Sequence, residues 1–528
     1  MIKKLFALAT IFVSTICFAQ NDIDAMRYSQ TSSYGDARFM SMGGAFGSLG
    51  ANISCINFNP AGIAMYRKGE LVITPGIQFQ SADASHYGTN SSDFSTKLSL
   101  SNIGFVAAWD QKPMSIQTNM GYQPYNGDRY GPGSNKQNPQ QPKQNTNQNI
   151  PDRWAFGMNF NRVVDFNYHT TISGYVPASS SITSDMANRA NGTTVINLDQ
   201  FNEGLFEQAG MITPYTNSST MAFDSTGTHY APLAAYDAAG TKFQQTKTIQ
   251  SSGRVGELGL ALAHSFRDKF YFGGSIGVPF VKYNYQSTLT EFDYKNADSY
   301  FNSLSFQENI VTSGVGINAK LGGIYRFNSG VKVGVYGQTP TDYKLTDNYQ
   351  NTLNATYDAS SNSPYSVTSP SGTYAYKFHT PARAGASVSY VFKKLLAFSI
   401  DGEYVDYATA RYPNNAVFFD VNTAIRQKYM GTANLKAGAE LNIRPVVIRA
   451  GFGSYGSPFG DVLSGKFVRN SFSGGIGFRG THNVYLDLGF VYTKWAEKYY
   501  VIDPMYVQAS NINYSTLYIT ATLGIKFN

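Results

Sequence analysis

The chain has 528 residues, of which 42% are hydrophobic and 14% charged, with a formal net charge of +7 that falls to +5 once Lys3 and Lys4 leave with an export segment (7 − 2). So diffuse a positive charge argues against nucleic acid as a partner. Mean hydropathy is −0.26, and past the amino terminus no stretch approaches the ~20 apolar residues of a spanning helix. Of the two cysteines, Cys17 goes with the export segment and Cys55 is left alone, which excludes an intrachain disulfide.

Taken in chain order, residues 1–19 read as a signal peptide. Lys3 and Lys4 form a basic start, Leu5 to Phe18 an apolar stretch, and Cys17-Phe18-Ala19 a small-x-small site before Gln20. The mature chain is expected to begin at Gln20. Residues 20–68 carry no strand alternation. Within them Ala37 to Ala64 mixes small residues with Met and Phe, the composition of a tightly packed insert.

From residue 69 onwards, alternating apolar segments are expected as strands at 69–82, 97–110, 153–175, 253–266, 269–287, 310–327, 330–341, 381–392, 395–408, 429–442, 446–455, 471–480, 482–496 and 513–527. The last is the clearest. Leu517, Ile519, Ala521, Leu523, Ile525 and Phe527 fall on one side, and Tyr514, Thr516, Tyr518, Thr520, Thr522 and Lys526 on the other. A strand with one apolar and one polar face, ending on an aromatic, fits a barrel wall set in lipid. Such a wall also explains the modest hydropathy, because only alternate residues need be apolar. The 15% aromatic content, with 38 Tyr, 36 Phe and 50 Gly, suits twisted strands with aromatic girdles.

Six turns join these strands at one end: Arg267-Asp268-Lys269, Asn328-Ser329-Gly330, Lys393-Lys394, Asn442-Ile443-Arg444-Pro445, Arg479-Gly480-Thr481-His482 and the expanded Asp110 to Asp152. Barrels keep short turns in the periplasm and long loops outside. Six turns join twelve strands, and one more at each end gives fourteen. A turn at Arg162 to Asp165 would make fifteen and break the parity, so 153–175 is read as one long strand. Residues 176–252 form the longest outer loop, where Ile196, Leu198, Phe201, Leu205, Phe206 and Ala209 recur at roughly helical spacing. The Gln/Asn-rich stretch from Asn135 to Asn149 has the composition of a disordered segment. The fold expected is an all-β transmembrane antiparallel barrel of about fourteen strands, wide enough inside to need a plug, which residues 20–68 supply.

Gly43-Gly44-Ala45-Phe46, with Asn57-Phe58-Asn59-Pro60-Ala61-Gly62 just before the first strand, resembles the amino-terminal hatch of the FadL/TodX family of outer-membrane transporters for hydrophobic compounds. Glu257 in Gly256 to Ala261, Arg383 in Pro381 to Gly385, Lys436 and Glu440 in Leu435 to Glu440, and Arg449 in Ile448 to Gly451 stand in segments similar to strands of that family. The resemblance implies a fourteen-stranded, hatch-plugged barrel in the outer membrane of a Gram-negative bacterium. Its cargo would be hydrophobic compounds such as long-chain fatty acids, taken up passively and released sideways into the lipid.

Alternation places Glu257, Arg383, Asp401, Glu403, Lys436, Glu440, Arg449 and Asp487 in the lumen, since Leu258, Ala384, Ile400, Leu435, Leu441, Ile448 and Leu488 face lipid. A basic residue on the lipid side would cost about 2–4 kcal/mol at the midplane. These charges are expected to pair and hold the hatch. Gly43, Gly44, Asn59, Pro60 and Ala61 mark the hatch or gate, although Asn59-Pro60-Ala61 reads equally as a turn into the first strand. The 153–175 strand, with Arg162 and Asp165 in its middle, is the candidate lateral exit.

No catalytic or metal site is expected. His86, His169, His229, His264, His379 and His482 show no ligand spacing, and no cofactor motif is present. The partners expected are hydrophobic small molecules and outer-membrane lipid. Two competing readings are a barrel that docks exported proteins of a secretion system and an open porin.

Overall fold

The structure, a computed structural model, describes residues 22–111, 152–215, 227–233, 242–293, 302–357, 365–414, 416–460, 468–480 and 483–527. The expected signal peptide, the Asn135 to Asn149 stretch, most of the Asp110 to Asp152 turn and the tip of the Arg479 to His482 turn lie outside the described residues. No described helix is long and apolar enough to cross a membrane.

Antiparallel strands dominate. The first six wall positions use β1 (Gly69–His86), β2 (Thr89–Asp110), β3 (Arg153–Asp165) with β4 (Tyr168–Pro177), β7 (Lys242–Phe266), β8 (Phe270–Asp293) and β9 (Ser303–Arg326). A loop hairpin, β5 (Ile212–Tyr215) and β6 (His229–Pro232), intervenes before β7. The wall continues with β10 (Val331–Gln338) plus β11 (Asp342–Thr356), then β13 (Gly372–His379) plus β14 (Arg383–Phe392), with β12 (Tyr365–Thr368) an outer addition to β11. It is completed by β15 (Leu396–Asp406), β16 (Gly431–Ile443), β17 (Val446–Tyr455), β18 (Arg469–Arg479), β19 (Val484–Tyr499) and β20 (Ser510–Phe527). Among the described residues eighteen strands share one sheet. Setting aside β12 and joining the three broken positions leaves fourteen (18 − 1 − 3), and β20 pairs with β1 from Gly69↔Phe527 to Ser85↔Asn511 to close the barrel.

The expected single strand over 153–175 is broken at Phe166-Asn167, where the Asp165 side chain accepts the Asn167 amide at 2.8 Å. Both halves nevertheless pair with β7 in one frame, Asp165↔Arg254 and Tyr168↔Ser251, so the wall count and parity stand. Several strands run further than alternation suggested. In β7, Leu258, Leu260 and Leu262 face outward, but above them the outward residues are Gln244, Thr246, Thr248 and Gln250, while Phe243 and Ile249 point in. The apolar phase inverts where the wall leaves lipid, because there only the inner face is dry.

That inner face meets a folded cap. Helices α3 (Ile182–Ala190) and α4 (Glu203–Gln208) pack Ile182, Met186, Leu205 and Phe206 against Phe243, Leu289 and Phe306. The helical spacing over 196–209 is not one helix. Asp199 accepts the amides of Phe201 and Gly204 and turns the chain, and Ile196 is 89% exposed.

Inside the barrel, α1 (Asp22–Ser29) and α2 (Ala37–Ser41) precede two 3-10 turns at Ile53–Asn57 and Pro60–Met65. Each of the last three begins on a polar cap: Asp36 accepts the Phe39 amide, Asn52 that of Ser54, and Asn59 that of Ala61. Phe39 lies 5.4 Å from Phe46 and 4.8 Å from Phe58, ring to ring, in a core with Ile53, Cys55, Ile56 and Ile63. Helix α1 starts at the long-loop end, where Asp22 meets Lys428, the last residue of α5 (Phe419–Lys428), and Tyr429 just beyond it.

Candidate functional site

Hatch and wall meet first through backbone. Cross-strand glycine pairs, among them Gly273↔Gly322, Gly438↔Gly451 and Gly475↔Gly489, face the lumen. A β-carbon on Gly273 would lie 2.5 Å from the Ala61 nitrogen, one on Gly322 1.8 Å from Asn59 Oδ1, one on Gly438 2.5 Å from the Met42 carbonyl, and one on Gly475 2.2 Å from Ser41 Oγ. Asn59 also donates to the Gly47 carbonyl at 2.6 Å. The Asn59-Pro60-Ala61 motif therefore caps a turn wedged between wall glycines. Gly43 and Gly44 take φ of +63° and +77°, and side chains there would run into the Phe452 carbonyl and Ser33.

The eight lumen charges all reach the hatch, directly or through one another. Glu257 accepts from Asn57 Nδ2 at 2.8 Å and Lys320 Nζ at 2.7 Å. Asp401 takes the Gly47 amide at 3.1 Å and the Tyr336 hydroxyl at 2.7 Å. Arg383 pairs with Glu403 at 3.3 Å and donates to the Ser29 carbonyl, while Lys436 sits 5.3 Å over the Phe58 ring. Arg38 of α2 binds Glu440 through Nε at 2.8 Å and Nη2 at 3.0 Å; Glu440 holds Arg449 at 2.7 Å, and Arg449 holds Asp487 at 2.9 Å. Arg449 and Asp487 have almost no exposed side-chain surface. Sequence reasoning missed Arg38, Lys320, the wall glycines and the tie from Asn57 to Glu257. The only signal for the glycines was their lumen phase, and their pairing depends on strand register.

The wall itself is interrupted on one side of β3. β2 and β3 are laddered from Asp110↔Arg153 to Asn102↔Asn161, and no pair between β2 and β3 or β4 follows among the described residues. Each flanking strand carries an extra residue where the ladder stops. Between β1 and β2 the register shifts from Thr74↔Asn102 to Pro75↔Leu100, leaving Ser101 unmatched; between β3 and β7 it shifts from Arg162↔Gly256 to Val164↔Val255, leaving Val163 unmatched. A bulge bends its strand and breaks local pairing, and Pro75 has no amide to give. Further out, side chains of β2 tie it to β4: Asp93 accepts the Thr171 amide and lies 3.0 Å from His169, and Ser91 donates to the Thr171 carbonyl. Residues 94–101 of β2 therefore border a gap. In hydrocarbon, unpaired backbone is tolerated only where it lines a cavity or packs on protein.

A strap of the hatch lies behind that gap. The Ser32 amide donates to the Val163 carbonyl at 3.2 Å, Asn161 donates to the Tyr34 carbonyl at 3.2 Å, and the Arg162 guanidinium stands 5.7 Å over the Tyr34 ring. Residues Tyr28 to Ser32 of the strap line a cavity of about 50 Å³ together with Asn161, Val163 and Val164 of the β3 strand, Glu257 of β7 and Arg383 of β14. At about 10–15 Å³ per water-sized probe sphere, it holds a few waters and no cargo. Any larger occupant requires the lining to move. Among the described residues no three His, Cys, Asp or Glu side chains come together as a metal site.

No family model matches the chain, and no curated protein matches it. Solved structures do. A Pseudomonas aeruginosa FadL homologue is similar at 11% identity with a TM-score of 0.51, covering 94% of this chain and 99% of that one. The Pseudomonas putida toluene transporter TodX is similar at 10% identity and a TM-score of 0.49, covering 94% and 100%, and the Ralstonia pickettii toluene transporter TbuX at 13% and 0.47, covering 94% and 99%. The likeness to the FadL homologue shows a shared fold over nearly the whole of both chains: a fourteen-stranded antiparallel barrel with an amino-terminal segment folded inside it.

Proposed function

We propose that this protein is a passive outer-membrane channel for hydrophobic compounds, long-chain fatty acids or aromatic hydrocarbons, which leave the lumen sideways between β2 and the β3/β4 position. One observation carries the reading. The unladdered stretch of wall, the bulges at Ser101 and Val163, and the cavity under the Tyr28 to Ser32 strap coincide at one place. The fold shared with the FadL homologue supports it.

The physical logic follows from where the barrier lies. An apolar molecule is held back by the hydrated outer surface and not by hydrocarbon, so a wall that opens to lipid needs no energy source. The glycine-seated and ion-paired parts of the hatch stay fixed, with Gly43, Gly44, Asn59, Pro60 and Ala61 as anchors. The strap is tied to the bulge by the Ser32 amide and to Arg383 through the Ser29 carbonyl, and it is the part that yields to cargo.

Purified protein in liposomes should accelerate entry of a fluorescent long-chain fatty acid or of toluene over protein-free vesicles. Absence of both, or a large steady ion conductance in planar bilayers, would overturn the proposal. Co-purification of a stoichiometric protein partner without uptake would favour the docking reading.

A further inference from the structure

A second cavity, of about 340 Å³, lies at the long-loop end between α3, β7, β9 and the segment after β19. It falls at the small end of the range for small-molecule sites. Ile182, Met186, Phe306, Val501 and Ile502 give it apolar walls. Its charged groups decide what those walls can hold.

Both lining cations are already committed. Lys247 Nζ lies 2.9 Å from Glu308, which also accepts from Ser287 Oγ at 2.7 Å, and Arg189 Nε lies 2.9 Å from Glu203. Asp503 uses its Oδ1 to accept the Met505 amide at 2.8 Å. Asp185 differs: it is 4% exposed, lines the cavity, and its Oδ1 has no hydrogen-bond partner. It stands in the first turn of α3, where the helix end favours a carboxylate, and Arg189 and the Asp503 backbone add to that. Burial outweighs them and pushes the Asp185 carboxyl above its usual range. A buried acceptor without a donor is an open valence that a ligand can fill.

We propose that this cavity binds a small amphiphile with a positively charged, hydrogen-donating head, such as a primary alkylamine, its ammonium at the Asp185 carboxylate and its chain against Ile182, Met186 and Phe306. A carboxylate head would face Asp185, and both lining cations already have a carboxylate partner, Lys247 in Glu308 and Arg189 in Glu203. The site thus selects against the anionic head of a fatty acid, and it stands independently of what the wall gap releases.

The test uses the full-length barrel in lipid nanodiscs and calorimetric titration with hexylamine, hexanol and hexanoate. Saturable hexylamine binding is expected, at least tenfold tighter than hexanol or hexanoate. Asp185→Asn should weaken it at least tenfold, whereas Glu207→Gln on α4, outside the lining, should leave it unchanged. Met186→Trp keeps the carboxylate and fills the cavity, and should abolish binding while heat-modifiable migration of the barrel is retained; this decides the matter if Asp185→Asn misfolds. No saturable hexylamine binding, hexanol or hexanoate binding as tightly, or unchanged affinity in a folded Asp185→Asn or Met186→Trp barrel would overturn the proposal. Uptake of toluene or fatty acid by Asp185→Asn reports on the channel reading separately.

Discussion

A β-carbon placed on Gly273 of the wall would lie 2.5 Å from the carbonyl carbon of Pro60 in the hatch. The contact is backbone to backbone, so no side-chain rotation can relieve it. With the Gly322 partner across the strand, Gly273 forms the seat on which the amino-terminal segment rests.

Gly273→Val should therefore unseat the hatch while leaving the barrel strand intact. Overpacking of this kind costs about 1–3 kcal/mol. The expected result is a barrel that still migrates as a folded species but conducts ions in planar bilayers. Gly274→Val, one residue on and facing outward, should stay closed. Silent bilayers with Gly273→Val would show that the hatch does not depend on this seat.

Glu440 stands between two guanidiniums, Arg38 of the hatch and Arg449 of the wall. Removing one partner of a buried pair leaves an uncompensated charge, at about 3–5 kcal/mol. Glu440→Gln should lower resistance to urea unfolding by an amount of that order, and Arg38→Gln added to it should recover part of the loss. Additive losses in the double variant would mean that the two side chains are not coupled.

Deleting Val163 should close the proposed exit. The residue is the unmatched one between Arg162↔Gly256 and Val164↔Val255, so its loss restores one-to-one register and lets β3 run straight. Uptake of hydrophobic compounds in liposomes should fall to background while the folded barrel is retained. Undiminished uptake would place the exit elsewhere.

The position of the lipid band is testable through charge. Ile400 is 64% exposed on the outer face of β15, whereas Thr248 faces outward on β7 where neighbouring residues are polar. Ile400→Arg should cost about 2–4 kcal/mol in folding into lipid vesicles and Thr248→Arg close to nothing. Equal effects would displace the band from where the wall pattern puts it.

Much of this is legible in the amino-acid sequence. Period-two alternation is local, so it separates lipid-facing Leu258, Ile400 and Leu488 from lumen-facing Glu257, Asp401 and Asp487 without reference to any other strand, and short polar turns fix the number of wall positions. The capping signature of Asn59-Pro60 is local in the same way. The same pattern fails above the lipid, where the outward residues of β7 turn polar and the helical spacing over 196–209 is broken by the Asp199 turn.

The amino-acid sequence by itself determined a plugged, closed cylinder of alternating sheet, because face preference is written into neighbouring residues. Only the tertiary structure decided where the cylinder is open and what holds the plug. Paired glycines such as Gly273 and Gly322, the missing ladder beside Val163, and the chain from Arg38 to Asp487 all join residues far apart in the sequence. Strand register sets those meetings, and register is fixed only when all the strands close on one another.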